Sequence, residues 1–194
     1  MKKSLKTCNA TYWLPIFLIG LVMSLASCGL LQDLFSGADA PAPQQAIAMI
    51  GPTSGSSVTG TATFTQSGDQ IALLVEIKGA SPGLHAVHIH QYGDCSSPDG
   101  KSAGGHWNPT GVAHGKWGEG EFHLGDIGNI SVGEDGIGSI SLKTDLWEIG
   151  TGSDVDIVGR GIIVHAGADD FASQPSGAAG ARIGCGAIVL AAQP

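Results

Sequence analysis

The run Gly83-Leu84-His85-Ala86-Val87-His88-Ile89-His90 constrains this chain more than any other. The β-branched Val87 and Ile89 read as strand, and on a strand successive side chains take opposite faces. His88 and His90 therefore share one face while Val87 and Ile89 occupy the other. Two imidazoles side by side are half of a metal site or two solvated histidines on a half-exposed strand. The rest of the chain decides between them.

Seven further runs have strand character: Ala46–Ile50, Val58–Thr65, Gln70–Lys78, Asp126–Val132, Ile137–Leu142, Gly161–Ala166 and Ile183–Leu190. With His85–Gln91 they make eight. Ser67-Gly68-Asp69 and Glu134-Asp135-Gly136 separate two pairs of them at hairpin distance. No long stretch has helical periodicity, charged residues are only 13% of the chain, and there are 31 glycines. The pattern predicts an all-β domain, closed as a Greek-key sandwich or barrel. Between Tyr92 and Gly125 lies a long segment with neither strand nor helix signal. Such loops inside compact domains are functional or disordered. This one carries Cys95, His106, His114 and His123, with Asp126 just beyond. A metal that organises the loop accounts for both its length and its histidines.

The N-terminus has a different character. Lys2, Lys3 and Lys6 precede an apolar run from about Trp13 to Ala26, and Leu25-Ala26-Ser27-Cys28 follows. This has the shape of a secretory signal and resembles the bacterial lipobox, in which Cys28 carries lipid after cleavage. The expected organisation is a lipoprotein signal peptide over 1–27, a flexible tether over 28–45 and one domain over 46–194. Gly29, in place of an Asp after the Cys, points toward the outer membrane by resemblance to enteric bacteria. The expected location is the bacterial cell envelope, periplasmic or surface-facing, with the membrane as partner through the anchor.

Of four cysteines, Cys8 leaves with the signal and Cys28 takes lipid. Cys95 and Cys185 remain in an oxidising setting and are expected to pair. Loss of the three signal lysines leaves six basic against seventeen acidic residues, a net charge of −11. That balance argues against nucleic acid as a partner.

Six motifs stand in order along the domain: His88-Ile89-His90, Gly104-Gly105-His106-Trp107-Asn108-Pro109, His114-Gly115, His123-Leu124-Gly125-Asp126-Ile127-Gly128-Asn129, Val164-His165-Ala166-Gly167-Ala168-Asp169-Asp170, and Gly180-Ala181-Arg182-Ile183-Gly184-Cys185-Gly186. Together they closely resemble copper/zinc superoxide dismutases of the bacterial exported type, from about Ala46 to the C-terminus. The resemblance implies an eight-stranded Greek-key fold, a sandwich architecture of which this family is a standing example. It implies copper ligands His88, His90, His106 and His165, and zinc ligands His106, His114, His123 and Asp126. His106 bridges the metals, and in a copper redox cycle it serves as ligand and proton donor in turn. His85, an odd number of residues from His88, is implied to pin the strand and to bind no metal. Asp169 is implied to accept hydrogen bonds from His88 and His114, linking the two sites. Arg182 is implied to hold the anionic substrate, superoxide, with Lys101, and Lys116 after it, as the candidates for steering it. Three residues depart from the family pattern: Ala86 where Gly is usual, Gln91 where Glu is common, and Trp107 in place of a frequent Phe. None is a ligand. Copper buffering or delivery without turnover, and a zinc-stabilised envelope module without redox chemistry, are the competing readings. Relatives occur as monomers and as homodimers.

Overall fold

The computed structural model describes residues 44–192. The signal segment, Cys28 and the tether as far as 43 lie outside them. Nine strands follow in chain order: β1 (Gln45–Pro52), β2 (Thr59–Ser67), β3 (Gln70–Lys78), β4 (Gly83–His90), β5 (Gly128–Val132), β6 (Ile137–Thr144), β7 (Gly161–His165), β8 (Arg182–Ala187) and β9 (Val189–Leu190). One sheet contains them all in the order β2-β3-β6-β5-β4-β7-β8-β1-β9, and β1 also pairs with β2. The sheet therefore closes on itself, and among the described residues its strands all pair antiparallel. β3 lies beside β6, and β4 lies between β5 and β7; these non-sequential neighbours make the Greek key.

β8 and β9 are two pieces of one strand. Both pair with β1 in a single register, Gly51 opposite Cys185 and Ala46 opposite Leu190. The ladder breaks at Ile188, whose N–H donates instead to Arg160 O at 2.9 Å. The barrel is thus eight-stranded, as expected. Two boundaries shift for visible reasons. β4 stops at His90 because the Gln91 N–H turns to Gly105 O. β5 starts at Gly128 because the Asp126 carboxylate accepts the N–H groups of Gly115 and His123 and closes a turn.

Alternation fills the barrel. Ala46, Ala48 and Ile50 of β1, Ala62 and Phe64 of β2, Ile71, Leu73, Val75 and Ile77 of β3, and Val87 and Ile89 of β4 join one buried cluster. Each such Val, Leu or Ile stabilises by about 1.5–3 kcal/mol relative to exposure. Trp147 caps the cluster edge-on to Phe64 at 5.9 Å, and its Nε1–H donates to Leu124 O at 2.9 Å. The core thereby holds the end of the long loop.

Val87 and Ile89 face this core, so His88 and His90 face outward and are buried beneath the loop. His85 is also buried, its ring between the carbonyls of His165 and Ser81, each 2.8 Å away. A disulfide joins Cys95 to Cys185 across 90 residues. Closing a loop of that length contributes about 4–5 kcal/mol in the chain-entropy model.

Candidate metal centre

Six histidines and one aspartate converge where the long loop crosses β4 and β7. His88 and His90 come from β4, and His165 ends β7 at an irregularity in its pairing with β8. His106 is carried in by the loop and held by an isolated β-bridge to His90. The bridge is tight because Gly125 wedges behind it: Ile89 N–H donates to Gly125 O, and Gly125 N–H to Trp107 O. A Cβ on Gly125 would collide with Ile89 O and lie 3.1 Å from Trp107 O. Glycine in the His123-Leu124-Gly125-Asp126 motif is thus a packing requirement.

Two sets of potential ligand atoms form, each with its members within 4.8 Å of one another: His88, His90, His106 and His165, and His106, His114, His123 and Asp126. His106 belongs to both. Its Nδ1 lies 2.9 Å from Asp126 Oδ1, which leaves Nε2 for the first set.

The donor atoms fit metals. In each ring the nitrogen turned away from its set is engaged where the structure shows a partner, and this fixes the tautomer. His90 Nδ1 meets Gly104 O at 3.0 Å and His165 Nδ1 meets Gly180 O at 3.3 Å. His88 Nε2 and His114 Nε2 meet the two oxygens of Asp169 at 2.8 and 2.9 Å. The opposite nitrogens, His88 Nδ1, His90 Nε2, His106 Nε2, His114 Nδ1, His123 Nδ1 and His165 Nε2, are buried without a hydrogen-bond partner. Six orphaned lone pairs pointing at two foci are costly unless something binds them. His114 Nδ1 and His123 Nδ1 approach Asp126 oxygens at 3.0 and 3.2 Å without hydrogen-bond alignment. Ligands on a tetrahedral zinc sit about 3.3 Å apart, given bonds of roughly 2.0–2.1 Å.

Electrostatics keep the set ready. Burial pushes His106 down to about 4 and His165 down to about 3, with neighbouring rings adding to both shifts. Burial likewise holds His90 well below the ordinary histidine value. All three are neutral at pH 7, as ligands must be. Burial pushes Asp126 upward, but the rings of His106 and His123 and the N–H groups of His123 and Gly115 outweigh it and keep the carboxylate charged. Asp169 behaves the same way: burial raises it, and donation from His88, Phe171 N–H and His114 prevails.

An open cleft of about 540 Å³ leads to the first set, lined by His90, His106 and His165 and bordered by Arg182. Arg182 Nη1 and Nη2 donate to Gly100 O and Gly104 O, both at 2.7 Å. Gly104 O thus serves both the His90 ring and the guanidinium. Lys101 lies on the 3₁₀ turn Lys101–Ala103, its Nζ 2.8 Å from Asp99 Oδ2, and is absent from the cleft lining. Lys116 pairs with Glu119.

Three side chains support the ligands through contacts that their sequence neighbourhoods do not reveal. Asn129 holds the Asp169 backbone by two hydrogen bonds. Gln91 accepts Gly105 N–H next to His106. Gln174 meets the backbone of His114. All three act between residues far apart in the chain.

Comparison with known proteins places this geometry. Residues 58–188 match the family model of copper/zinc superoxide dismutase. A "Superoxide dismutase [Cu-Zn]" of Onchocerca volvulus is 39% identical over 150 residues, covering 71% of this chain and 92% of that protein. A crystal structure of the clock protein EA4 superposes with a TM-score of 0.68 at 31% identity, covering 78% of this chain and 98% of that one. A closed eight-stranded barrel, two histidine-rich donor sets sharing His106, and these matches lead to one conclusion: the chain belongs to the copper/zinc superoxide dismutase family.

Proposed function

We propose that this protein dismutes superoxide to oxygen and hydrogen peroxide at the floor of the cleft, with His88, His90, His106 and His165 holding copper and His106, His114, His123 and Asp126 holding zinc. The observation that carries the reading is the set of orphaned, buried ring nitrogens arranged as two foci around one shared histidine. Bound copper supplies one-electron redox chemistry, whereas zinc has a single oxidation state and contributes charge and order.

The chain's own residues do the rest. Arg182 has five N–H donors, and the two backbone contacts leave others to face the cleft and hold a small anion. His106 Nε2 takes up a proton and hands it to the reduced substrate, while Nδ1 stays oriented toward Asp126. Asp169 keeps His88 and His114 in the tautomers that present Nδ1 to each focus. His90 and His165 are held by Gly104 O and Gly180 O so that both turn Nε2 inward.

The same proposal places the protein in a bacterial cell envelope, exported and lipid-anchored at Cys28. It is supported by Leu25-Ala26-Ser27-Cys28 and by a structural disulfide, which an oxidising compartment favours. A Cys28→Ser variant should lose membrane association and the mass of the lipid.

The deciding experiment is the dismutation rate of the protein loaded with zinc and one equivalent of copper. A second-order constant near the diffusional ceiling of roughly 10⁸–10⁹ M⁻¹s⁻¹, a limit superoxide dismutases are a standing example of reaching, supports the reading. Bound copper without turnover would refute it in favour of copper handling.

A further inference from the structure

The cleft has two walls from different parts of the chain. Asn108 and Val112 belong to the loop that carries His114, and Gln174, Pro175 and Ser176 face them from the segment after β7. What joins the walls is local to His114. Its N–H donates to Gln174 Oε1 at 2.9 Å, and Gln174 Nε2 donates back to His114 O at 2.9 Å. The amide of Gln174 thus grips both backbone polar groups of one residue, as a neighbouring strand would. Three residues further on, Gly177 is buried at φ +67° against the ring of the same histidine. A Cβ there would lie 2.7 Å from His114 Nε2 and collide with the Asp169 carboxylate. Asp169 contacts the ring itself. Among the described residues, the hydrogen bonds between these two segments are those of Gln174 and Asp169 to His114.

We propose that Gln174 is a positioning residue that fixes the width of the anion entrance by locking the 174–176 wall to the backbone of His114. The inference rests on His114 being a zinc ligand. Metal at that focus immobilises His114, and Gln174 carries the constraint across to the cleft wall. The wall in turn sets how broad an anion reaches Arg182. Asp169 orients the ring, whereas Gln174 acts on the main chain and touches no reacting atom. Its contribution is therefore to selectivity and loop order.

The test uses the full chain with Gln174→Met, which keeps the volume and removes both hydrogen bonds, and Gln174→Glu, which keeps the acceptor for His114 N–H. In the zinc-loaded, copper-free protein, amide exchange at His114 should be at least about tenfold faster in the Met variant, and protection should return with Glu. In the protein holding both metals, binding of azide and of the broader phosphate is read from the visible copper band. The ratio of their dissociation constants should shift about tenfold toward phosphate with Met. Wild-type protection at His114 and an unchanged ratio in the Met variant would overturn the proposal. So would equal exchange at His114 in zinc-loaded and metal-free wild type, since nothing would then pass from the metal to the wall. Wild-type protein that fails to hold zinc would overturn the site reading itself, and the proposal with it. That outcome is recognised before any variant is made.

Discussion

Replacing Asp169 by Asn tests the link between the two metal foci. Asp169 is 3% exposed, and its carboxylate accepts from His88 Nε2 at 2.8 Å, His114 Nε2 at 2.9 Å and Phe171 N–H at 2.7 Å. When both histidines ligate through Nδ1, both Nε2 atoms must carry hydrogen and donate. An Asn has one acceptor oxygen and an NH₂ group, so in either orientation one buried N–H faces another. Leaving such a donor unsatisfied costs about 1–3 kcal/mol, or roughly 5- to 150-fold in an equilibrium constant. The strain is relieved where a ring can move. His88 sits on β4, paired on both sides by β5 and β7, whereas His114 sits on a loop. The cost should therefore fall on zinc: an affinity loss of about 10- to 100-fold, with copper affinity changed only a few-fold. Competition against a chromophoric chelator measures both. Unchanged zinc affinity, or preferential loss of copper, would refute the assignment of Asp169 and the distinction between strand-borne and loop-borne ligands.

Four other outcomes are expected. His165→Ala should abolish turnover and leave zinc content intact, because His165 belongs only to the first donor set; retained activity would remove it from the copper site. Arg182→Ala should slow dismutation and flatten its dependence on ionic strength, and an unchanged rate across a salt series would exclude Arg182 from substrate capture. The metal-free protein should lose stability as pH falls from about 6.5. Folded His106 and His165 titrate near 4 and 3, so the unfolded state binds more protons throughout that window. Each contributes a slope of about 1.4 kcal/mol per pH unit, and a urea midpoint that is the same at pH 7 and pH 5 would contradict this. Gly177→Ala should weaken zinc by at least about tenfold, because its Cβ would displace Asp169 or the His114 ring; normal zinc content after dialysis would argue against that crowding.

Much of this architecture was legible from residue order because its determinants are local. Alternation placed Val87 and Ile89 opposite His88 and His90, and the same parity kept His85 apart from both metal foci. A loop too long and too polar to pack by itself marked the region around His106, His114 and His123. What escaped the sequence are contacts whose partners are remote. Gln174 and His114 are 60 residues apart, and nothing in Ser173-Gln174-Pro175 announces a backbone grip. Gly104 O holds both His90 and Arg182 through a main-chain carbonyl, which has no sequence identity at all. The break at Ile188 depends on the carbonyl of Arg160. Lys101 pairs on the surface with Asp99, whose carboxyl it holds down to about 2.

An excess of acidic residues and an anionic substrate are compatible because the charges are unevenly spent. The buried carboxylates of Asp126 and Asp169 are directed at histidine rings and at backbone N–H groups. The ion pair of Asp99 with Lys101 is exposed, and such pairs contribute little to the field beyond a Debye length. Arg182 is different. Its hydrogen-bond partners are the neutral carbonyls of Gly100 and Gly104, and the carboxylate that acts on it electrostatically, Asp99, is itself paired with Lys101. At about 4 Å and an effective dielectric of about 20, a full unit charge attracts an anion by about 4 kcal/mol, an upper bound here because Asp99 offsets part of the guanidinium's charge. The two carbonyls that orient the guanidinium therefore also preserve its field, and Gly104 O couples that field to the ring orientation of His90. The orientations of the Arg182 guanidinium and of the His90 ring thus share a single main-chain atom.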